Sequence, residues 1–305
     1  MQTGAHAHET ILVPGSISNL GPGFDALSVA VGLYLRVTIL EVLPSAPGIL
    51  EMDFGSSTPP GENRILTGFR RAREHFGDPA PGLRLEVQSD IPMRAGLGSS
   101  AAATVAGLKL YETLTSPRAH DDLMVIATAI EGHPDNAAAA LLGGLTLSCQ
   151  QSDGRIITCA WRWPDDLHFV VATPGAELET AFARTVVPRL IPLENAVFNL
   201  QRALLLVRAL ETGQYEHLRE ALRDRWHQPA RAAYVPGLAD ALALDHPSIL
   251  GACLSGAGPS IALLVMGRED EASTLLGDIY TRLGLPYTIR TLSPHPPVVS
   301  SGHDS

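Results

Sequence analysis

Alternating apolar and polar residues predict most of the strands in this chain. The alternation is clearest in residues 33–42 and 83–88, where apolar side chains recur at every second position. Helices are predicted between the strands, some of them after a capping residue such as Asn63 or Asp121. The predicted strands lie at residues 10–13, 33–42, 83–88, 146–149, 156–161, 168–172, 254–260 (around a loop) and 287–292. The predicted helices lie at residues 63–76, after 99, at 121–132, after 136, at 177–185, 195–212 and 215–227, and from 269.

Strands mixed with helices in both halves predict an α+β protein of two domains. The break is expected near residues 150–165, which gives an N-terminal domain at 1–160 and a C-terminal domain at 161–305. Residues 1–8 and the Pro-, Ser- and His-rich residues 294–305 are predicted to be disordered ends.

The segment Ile91–Gly107 carries the clearest chemical signal. It leads from a predicted strand through Gly96-Leu-Gly-Ser-Ser100 into an Ala-rich helix. Small residues at the turn let a polyanion approach the backbone, and the N–H groups and dipole at the helix start attract negative charge. The pattern predicts a phosphate seat made of main-chain amides, and it favours a nucleotide-dependent enzyme.

Composition narrows the classes of protein. The chain has 305 residues, 45% of them hydrophobic and 18% charged, which is enough for a large core and too few charges for a disordered chain. The formal net charge of -10 argues against nucleic acid or an anionic membrane as the main partner. No apolar stretch is long enough to span a bilayer, and the segment with His6 and His8 lacks the features of a signal peptide. We therefore expect a cytoplasmic protein.

The few lysines and cysteines argue against a Walker A loop, Schiff-base chemistry and cysteine-based metal or redox sites. Lys109 is the one lysine, so the Gly-Lys-Ser/Thr of a Walker A loop is absent and a Schiff base loses its usual residue. Arginine must supply the cations. Cys149, Cys159 and Cys253 lack metal or redox spacing, and we expect them to be small buried residues in a reducing compartment.

Three Gly- and Ser-rich loops punctuate the chain. They are Ser18-Asn-Leu-Gly-Pro-Gly-Phe-Asp25, Gly96-Leu-Gly-Ser-Ser-Ala101 and Leu254-Ser-Gly-Ala-Gly-Pro-Ser260. Each loop alone is a weak signal. In this order and spacing they resemble the three signature motifs of the GHMP kinases, over nearly the whole chain from Val13 to about Val265. The resemblance implies a two-domain fold, with a ribosomal protein S5 domain 2-like N-terminal domain and a ferredoxin-like C-terminal domain.

Within that superfamily, the first loop and Glu131-Gly-His-Pro-Asp-Asn136 resemble the homoserine kinase branch. That branch usually has Ala-Thr-Ser-Ala where this chain has Gly15-Ser-Ile-Ser18, and Asn-Val-Ala-Pro where it has Asn136-Ala-Ala-Ala139. Both departures exchange small or apolar residues. The resemblance implies transfer of the ATP γ-phosphoryl group to L-homoserine in threonine biosynthesis. Many such kinases form dimers, and the sequence leaves a homodimer open.

The resemblance also implies an ATP site and a magnesium site. The implied ATP-binding residues are Asn63, Arg94, Ala95, Gly96, Leu97, Gly98, Ser99, Ser100 and Ala101. A hydroxyl from Ser100 and a carboxylate from Glu131 suit Mg²⁺, which keeps part of its water. Helix capping is the alternative for Asn63 and Ser100, and a plain acid at a helix end is the alternative for Glu131.

Homoserine is a zwitterion with a hydroxyl group, so its site needs a cation and an acceptor. Arg184 and Arg231 could each grip a carboxylate, and Asp25 could accept from the ammonium. The implied substrate-binding residues are Asn19, Asp25, His133, Asn136, Thr180, Arg184, Arg231 and Gly256. The alternatives are solvated arginines and a histidine bonded to its own turn.

The resemblance places Ser100, Glu131 and Asn136 at the catalytic centre. Other branches carry an aspartate as base where this chain has Asn136, so we predict that no side chain is an essential general base. Two rival functions stay open at this point. One is another kinase of the superfamily, acting on shikimate or a mevalonate-pathway acid, and the other is a sensor that binds ATP and a metabolite without catalysis.

Overall fold

The computed structural model describes residues 8–55, 61–176 and 178–298, and within them ten strands form two sheets. The strands are β1 Thr10–Ser18, β2 Leu27–Leu43, β3 Leu50–Asp53, β4 Gly82–Ser89, β5 Leu145–Gln150, β6 Ile156–Trp161, β7 His168–Pro174, β8 Gly251–Leu254, β9 Ile261–Val265 and β10 Tyr287–Leu292. The α-helices are α1 Arg64–Phe76, α2 Ser99–Leu114, α3 His120–Glu131, α4 Asp135–Leu142, α5 Thr180–Thr185, α6 Leu193–Thr212, α7 Leu218–Ala221, α8 His227–Arg231, α9 Leu238–Leu242 and α10 Glu269–Leu283.

The N-terminal sheet has the order β3-β4-β2-β5-β6, with β1 paired to β2 as well. Its pairs are antiparallel except for the parallel β3 and β4. Helices α2 and α4 pack on β1, and α1 packs on α2. The starts of α2 and α4 are thereby held close to the end of β1, where the first glycine-rich loop begins.

The C-terminal sheet has the order β10-β7-β9-β8, and every neighbouring pair is antiparallel. In chain order this is 4-1-3-2, the arrangement of a ferredoxin-like domain. Helix α10 packs against β7, β9 and β10. The predicted α+β fold is confirmed in both halves.

Strand β1 is longer than predicted. The sequence predicts a strand at 10–13 and then a loop to Phe24, but β1 continues to Ser18. Its last six residues are all buried because β2 pairs with them and helices α2 and α4 cover them. A strand buried on both faces has no alternating pattern, so periodicity cannot reveal it.

The single helix predicted at 215–227 is wrong. A 3₁₀ turn at Tyr215–His217 and the short helix α7 come first, and α8 starts only at His227. The Asp224 carboxylate accepts hydrogen bonds from the backbone N–H groups of Trp226 and Gln228, both at 2.7 Å. Such local bonding by an aspartate competes with a continuing helix.

Two smaller predictions about chain segments also change. Asp121 lies in the first turn of α3 and does not cap it, since the N-cap position is Ala119. Residues 294–298, predicted to be disordered, lie along the N-terminal domain. The N–H group of His295 donates to the Ala30 carbonyl at 2.8 Å, and that of Val298 donates to the Leu142 carbonyl at 2.7 Å. These backbone bonds supply the order that the tail composition does not reveal.

The predictions for residues 1–7 and 299–305 lie outside the described residues. Across the part of the chain that is described, no helix combines the length and the apolar character needed to cross a membrane.

Candidate active site

A cavity of about 440 Å³ opens where residues of both domains meet. Its size falls within the range of small-molecule sites. The predicted site residues that line it are Asn19, Asp25, Arg94, Gly96, Gly98, Ser99, Ser100, Ala101, Glu131, His133, Asn136, Thr180, Arg184, Arg231 and Gly256. The structure therefore brings together residues from one end of the chain to the other.

The three glycine-rich loops contact one another directly. The Asn19 amide donates to the Gly256 carbonyl at 2.9 Å, which joins the first loop to the third. The Ser255 hydroxyl donates to the Gly96 carbonyl at 2.7 Å, which joins the third loop to the second. Within the described residues, the non-glycine positions with positive φ besides His8 are all in these loops or directly beside them: Asn19, Leu20, Asp25 and Arg94. Strained backbone of this kind often marks functional sites.

The start of α2 faces this cavity without a side-chain cap. Gly98 is the N-cap, and the cap position has no side-chain hydrogen bond. The first N–H groups of a helix have no partner within it, so those of Ser99, Ser100 and Ala101 are left for a ligand. Together with the helix dipole they form the predicted seat for an anion.

Gly98 tests this cradle because a side chain there would clash with residues packed against the turn. Gly98 has φ +76°, and an added Cβ would lie 2.2 Å from the Ser16 Oγ and 3.3 Å from the Asn136 Oδ1. Gly98→Ala is therefore expected to raise the KM for ATP at least about tenfold, and to cost more stability than the roughly 1–2 kcal/mol of left-handed backbone strain alone.

Gly77→Ala is the matched control, since Gly77 has φ +81° at the end of α1 and nothing within 4 Å of an added Cβ. Urea unfolding and steady-state kinetics of the two variants separate backbone strain from the clash. Equal effects of both variants on stability and on KM would contradict a tight cradle at Gly98.

Ser100 and Glu131 lie beside this cradle, on different helices. Ser100 is the second residue of α2, not its cap, and Glu131 is the last residue of α3. The Ser100 hydroxyl donates to the Glu131 Oε1 at 3.1 Å, and the Thr104 hydroxyl donates to the same oxygen at 2.6 Å. Neither bond uses the Glu131 Oε2. A hydroxyl and a carboxylate within hydrogen-bond distance, next to a phosphate seat, fit a hard cation such as Mg²⁺.

Asp25 and Arg184 form a two-pronged ion pair among the residues that line the cavity. The Arg184 Nη2 and Nη1 donate to the two Asp25 carboxylate oxygens at 2.6 and 3.0 Å. Burial alone would lower the pKa of Arg184, but the hydrogen bonds and charge of Asp25 raise it. Arg184 is therefore paired, and the alternative of a solvated arginine is wrong for it.

Arg231 is buried, with 1% of its surface exposed. Its Nε donates to the Ala183 carbonyl at 3.0 Å and its Nη1 to the Gly256 carbonyl at 3.1 Å. These bonds leave Nη2 for a ligand. Burial, and next the charge of Arg184, lower the pKa of Arg231 to about 10, so it stays protonated at neutral pH. The end of the cavity around Asp25 thus holds two arginines and two carboxylates, since polar atoms of Asp25, His133 and Asp135 lie within 4.8 Å of one another.

His133 and Asp135 form a close pair beside Asp25. The His133 Nδ1 lies 2.5 Å from the Asp135 Oδ1, so this histidine is bonded within its own turn while it also lines the cavity. Burial is the largest single effect and would lower the pKa of His133, but the hydrogen bond and the charge of Asp135 together raise it. Burial would likewise raise the pKa of Asp135, yet the bond and charge of His133 lower it. The pair carries opposite charges in slightly acidic solution.

Asn136 follows this pair and reaches toward the phosphate seat. Its Oδ1 accepts from the Ser16 hydroxyl at 2.7 Å, and its backbone N–H donates to the Asp135 Oδ1 at 2.8 Å. The amide is thereby fixed at the point where the two ends of the cavity meet.

Three predicted ATP-binding residues do not line the cavity. Asn63 caps α1, with its Oδ1 accepting from the Leu66 N–H at 3.1 Å, and its amide donates to the Met52 sulfur at 3.2 Å. The side chains of Ala95 and Leu97 are buried in the core. Asn63 therefore has the alternative role given above, and its place near the adenine stays a prediction.

Sequence reasoning missed several residues of the site, and four of them bear on its chemistry. They are Phe24, Arg64, Thr104 and Asp135. The Phe24 ring lies under the Arg184 and Arg231 guanidinium groups, at 5.7 and 5.4 Å from its centroid. Asp135 lies within the motif Glu131-Gly-His-Pro-Asp-Asn136, so an acid two residues after a histidine could have indicated it as a site residue. Nothing in the sequence could have indicated Thr104, since a single threonine in an Ala-rich helix belongs to no recognisable motif.

Comparison with known proteins gives the class of this fold and site. Residues 63–144 match the GHMP kinases N terminal domain, and residues 206–278 match the GHMP kinases C terminal family. Both matched regions contribute residues to the lining of the cavity. The predicted class of protein is confirmed as a two-domain GHMP kinase.

Individual proteins narrow the class. A homoserine kinase of Moorella thermoacetica is 37% identical over 291 residues, 93% of this chain and 96% of that protein. A homoserine kinase of Thermus thermophilus is 39% identical, covering 85% of this chain and 88% of that one. The crystal structure of homoserine kinase from Cytophaga hutchinsonii aligns with a TM-score of 0.84 at 25% identity, over 97% of both chains. This chain belongs to the homoserine kinase family of the GHMP kinases, and it is an ATP-dependent small-molecule kinase.

Proposed function

We propose that this chain transfers the γ-phosphoryl group of ATP to the hydroxyl group of L-homoserine, giving O-phospho-L-homoserine and ADP for threonine biosynthesis. The observation that carries the proposal is one cavity with two unlike ends. At one end are the glycine loop and the start of α2, and at the other are Asp25, Arg184 and Arg231. We further propose that the reaction takes place in the cytoplasm, as the composition predicts.

The acceptor end suits a zwitterion. We assign the substrate carboxylate to Arg184 and Arg231, whose guanidinium groups can each grip it with two hydrogen bonds. The substrate carboxylate would replace the Asp25 carboxylate as the partner of Arg184. Asp25 would then accept hydrogen bonds from the substrate ammonium group. Because Asp25 also orients Arg184, it does not by itself distinguish homoserine from an acid without an ammonium group. The membership in the homoserine kinase family favours homoserine.

The phosphate end suits Mg²⁺ and a triphosphate. We assign the cation to Ser100 and Glu131, and the phosphates to the amides of residues 96–101. When bound, Mg²⁺ neutralises charge that develops on the transferred phosphoryl group. The residues of this chain supply positioning, since they hold the acceptor hydroxyl in line with the γ-phosphorus.

We propose that proton transfer needs no essential side-chain base. Asp135 is the buried carboxylate nearest in sequence to Asn136, and the bond and charge of His133 lower its pKa against the effect of burial. A base works best when its pKa lies near the working pH, so this arrangement makes Asp135 a poor proton acceptor. The proton would leave to the phosphate or to solvent.

Asp135→Asn tests this point, because it keeps the shape of the side chain and removes its basicity. The loss in kcat is expected to stay below about 100-fold, the lower end of what removing a general base costs. Single-turnover measurements with saturating ATP and homoserine give the chemical step directly. Loss of that step with intact homoserine binding would overturn the proposal of no essential base.

The proposed reaction is tested with purified protein, ATP and Mg²⁺, by following ADP release with L-homoserine, shikimate or mevalonate. Homoserine is expected to give a kcat/KM at least about tenfold above the other two acids, because charged hydrogen bonds to its ammonium contribute about 1.5–3 kcal/mol. Higher turnover of either other acid would favour the rival kinases. Binding of ATP and homoserine without ADP release would favour a sensor.

A further inference from the structure

Thr104 lies one helical turn after Ser100 on α2, so the two side chains share a face of the helix. The residue has 0% of its surface exposed. Its hydroxyl donates to the Glu131 Oε1 at 2.6 Å, which is shorter than the 3.1 Å bond from Ser100 to the same oxygen. Thr104 therefore holds the carboxylate that the proposed function assigns to a cation, and it does so from a position no ligand reaches.

The direction of this bond is informative. A buried threonine in a helix commonly donates to the carbonyl four residues earlier in its own helix. Thr104 instead donates across to the last residue of α3. That helix has no basic residue in its last turn. The Arg64 Nη1 donates to the Ile130 carbonyl in that turn at 3.5 Å. The negative end of the α3 dipole disfavours a carboxylate there, so the bond from Thr104 does more than stabilise α3 locally.

The two carboxylate oxygens of Glu131 differ in their hydrogen bonds. Both hydroxyl groups bond to Oε1. The Ser100 hydroxyl can keep its bond and still present a lone pair to a cation. Thr104 is buried, so its hydroxyl cannot contact a cation in the cavity. With Oε1 fixed, Oε2 is the oxygen presented to the cavity.

We propose that Thr104 is a positioning residue that orients Glu131 for a divalent cation bound with the nucleotide. The proposal rests on the proposed function, which makes Glu131 a ligand of that cation. Residues that orient metal ligands change metal affinity about 10- to 100-fold when they are replaced. Thr104 acts through Glu131 and touches neither substrate.

The test measures Mn²⁺ binding by electron paramagnetic resonance, with the full-length protein and a non-hydrolysable ATP analogue. Thr104→Val keeps the branched shape and removes the donor, and it is expected to raise the Kd for Mn²⁺ about tenfold or more. Thr104→Ser restores a hydroxyl and is expected to return the Kd to within about threefold of the original protein. If Thr104→Val does not fold, Thr104→Ala lacks the donor without adding volume and is expected to show the same weakened binding.

Thr128→Val is the matched control. Thr128 is a buried threonine on α3 whose hydroxyl has no hydrogen-bond partner among the described residues. Its replacement is expected to leave the Mn²⁺ affinity unchanged. Unchanged affinity in Thr104→Val, or affinity in Thr104→Ser as weak as in Thr104→Val, would overturn the inference.

Mn²⁺ binding with the nucleotide analogue does not depend on the acceptor. If the original protein fails to phosphorylate homoserine but Thr104→Val weakens Mn²⁺ binding, the inference about Thr104 is supported and the proposed function is overturned. If the original protein phosphorylates homoserine and Thr104→Val binds Mn²⁺ normally, the proposed function stands and the inference about Thr104 is overturned.

Discussion

Glu131→Gln is expected to lower kcat at least about 100-fold, which makes it the most damaging single change in this site. Glutamine keeps the size of the side chain and removes the charge that a cation needs. Stabilisation of phosphoryl transfer by a metal ion amounts to several kcal/mol, and each 1.36 kcal/mol is a factor of ten in rate. The same variant is expected to need a higher Mg²⁺ concentration for half-maximal activity. Steady-state rates over a Mg²⁺ titration measure both effects.

Glu74→Gln is the control for this change. Glu74 lies on the exposed surface of α1, paired with Arg71, and 63% of its side chain is exposed. Its replacement is expected to leave kcat and the Mg²⁺ dependence within about twofold, since exposed ion pairs contribute little. If Glu131→Gln kept the original Mg²⁺ dependence, the cation would have to bind elsewhere.

Arg184→Met is expected to have the second largest effect, through substrate binding. It removes both hydrogen bonds of the guanidinium group while keeping much of its apolar length. Two charged hydrogen bonds contribute about 3 kcal/mol or more, so the KM for homoserine is expected to rise about 100-fold. The KM for ATP is expected to stay within about threefold, because Arg184 lies at the acceptor end. Steady-state kinetics with each substrate varied in turn give both constants.

Arg155→Met is the matched control, since Arg155 pairs with Asp153 on the surface and 71% of its side chain is exposed. It is expected to leave both KM values unchanged. A rise in the KM for ATP in Arg184→Met equal to the rise for homoserine would contradict the separation of the two ends of the cavity.

The phosphate seat could be predicted because its signal is local. Glycines, small side chains and a helix start within the ten residues after Ile91 are enough to indicate an anion site. The cap at Asn63 could be predicted for the same reason, since an asparagine accepts from an N–H three residues on. The ferredoxin-like half came from the family resemblance, not from these local rules, and the order of the strands in each sheet came only from the structure.

The ion pair between Asp25 and Arg184 could not be predicted from spacing. The two residues are 159 positions apart and meet only once both domains are folded. Sequence analysis predicted that each of them contacts the substrate, and their bond to each other appears only in the structure. The burial of Arg231 is likewise a tertiary effect, because nothing near it in the sequence distinguishes a buried arginine from a solvated one.

The burial expected for Cys149 and Cys159 is wrong, since both lie at exposed positions of β5 and β6, while Cys253 is buried. The segments predicted wrongly are those without a simple pattern. The end of β1 is buried on both faces, and the turn at Asp224 interrupts a helix that its neighbours favour. Residues 294–298 have the composition of a tail, and their order depends on backbone bonds to α4 and β2. In each case tertiary contacts outweigh local preference.

A crystal structure with a non-hydrolysable ATP analogue, Mg²⁺ and L-homoserine tests the whole account most directly. We expect the triphosphate to lie on the N–H groups of residues 96–101, with the cation between Ser100 and Glu131. The homoserine carboxylate should contact Arg184 and Arg231, and its hydroxyl should face the γ-phosphorus. A triphosphate seated away from the second glycine loop would contradict the account.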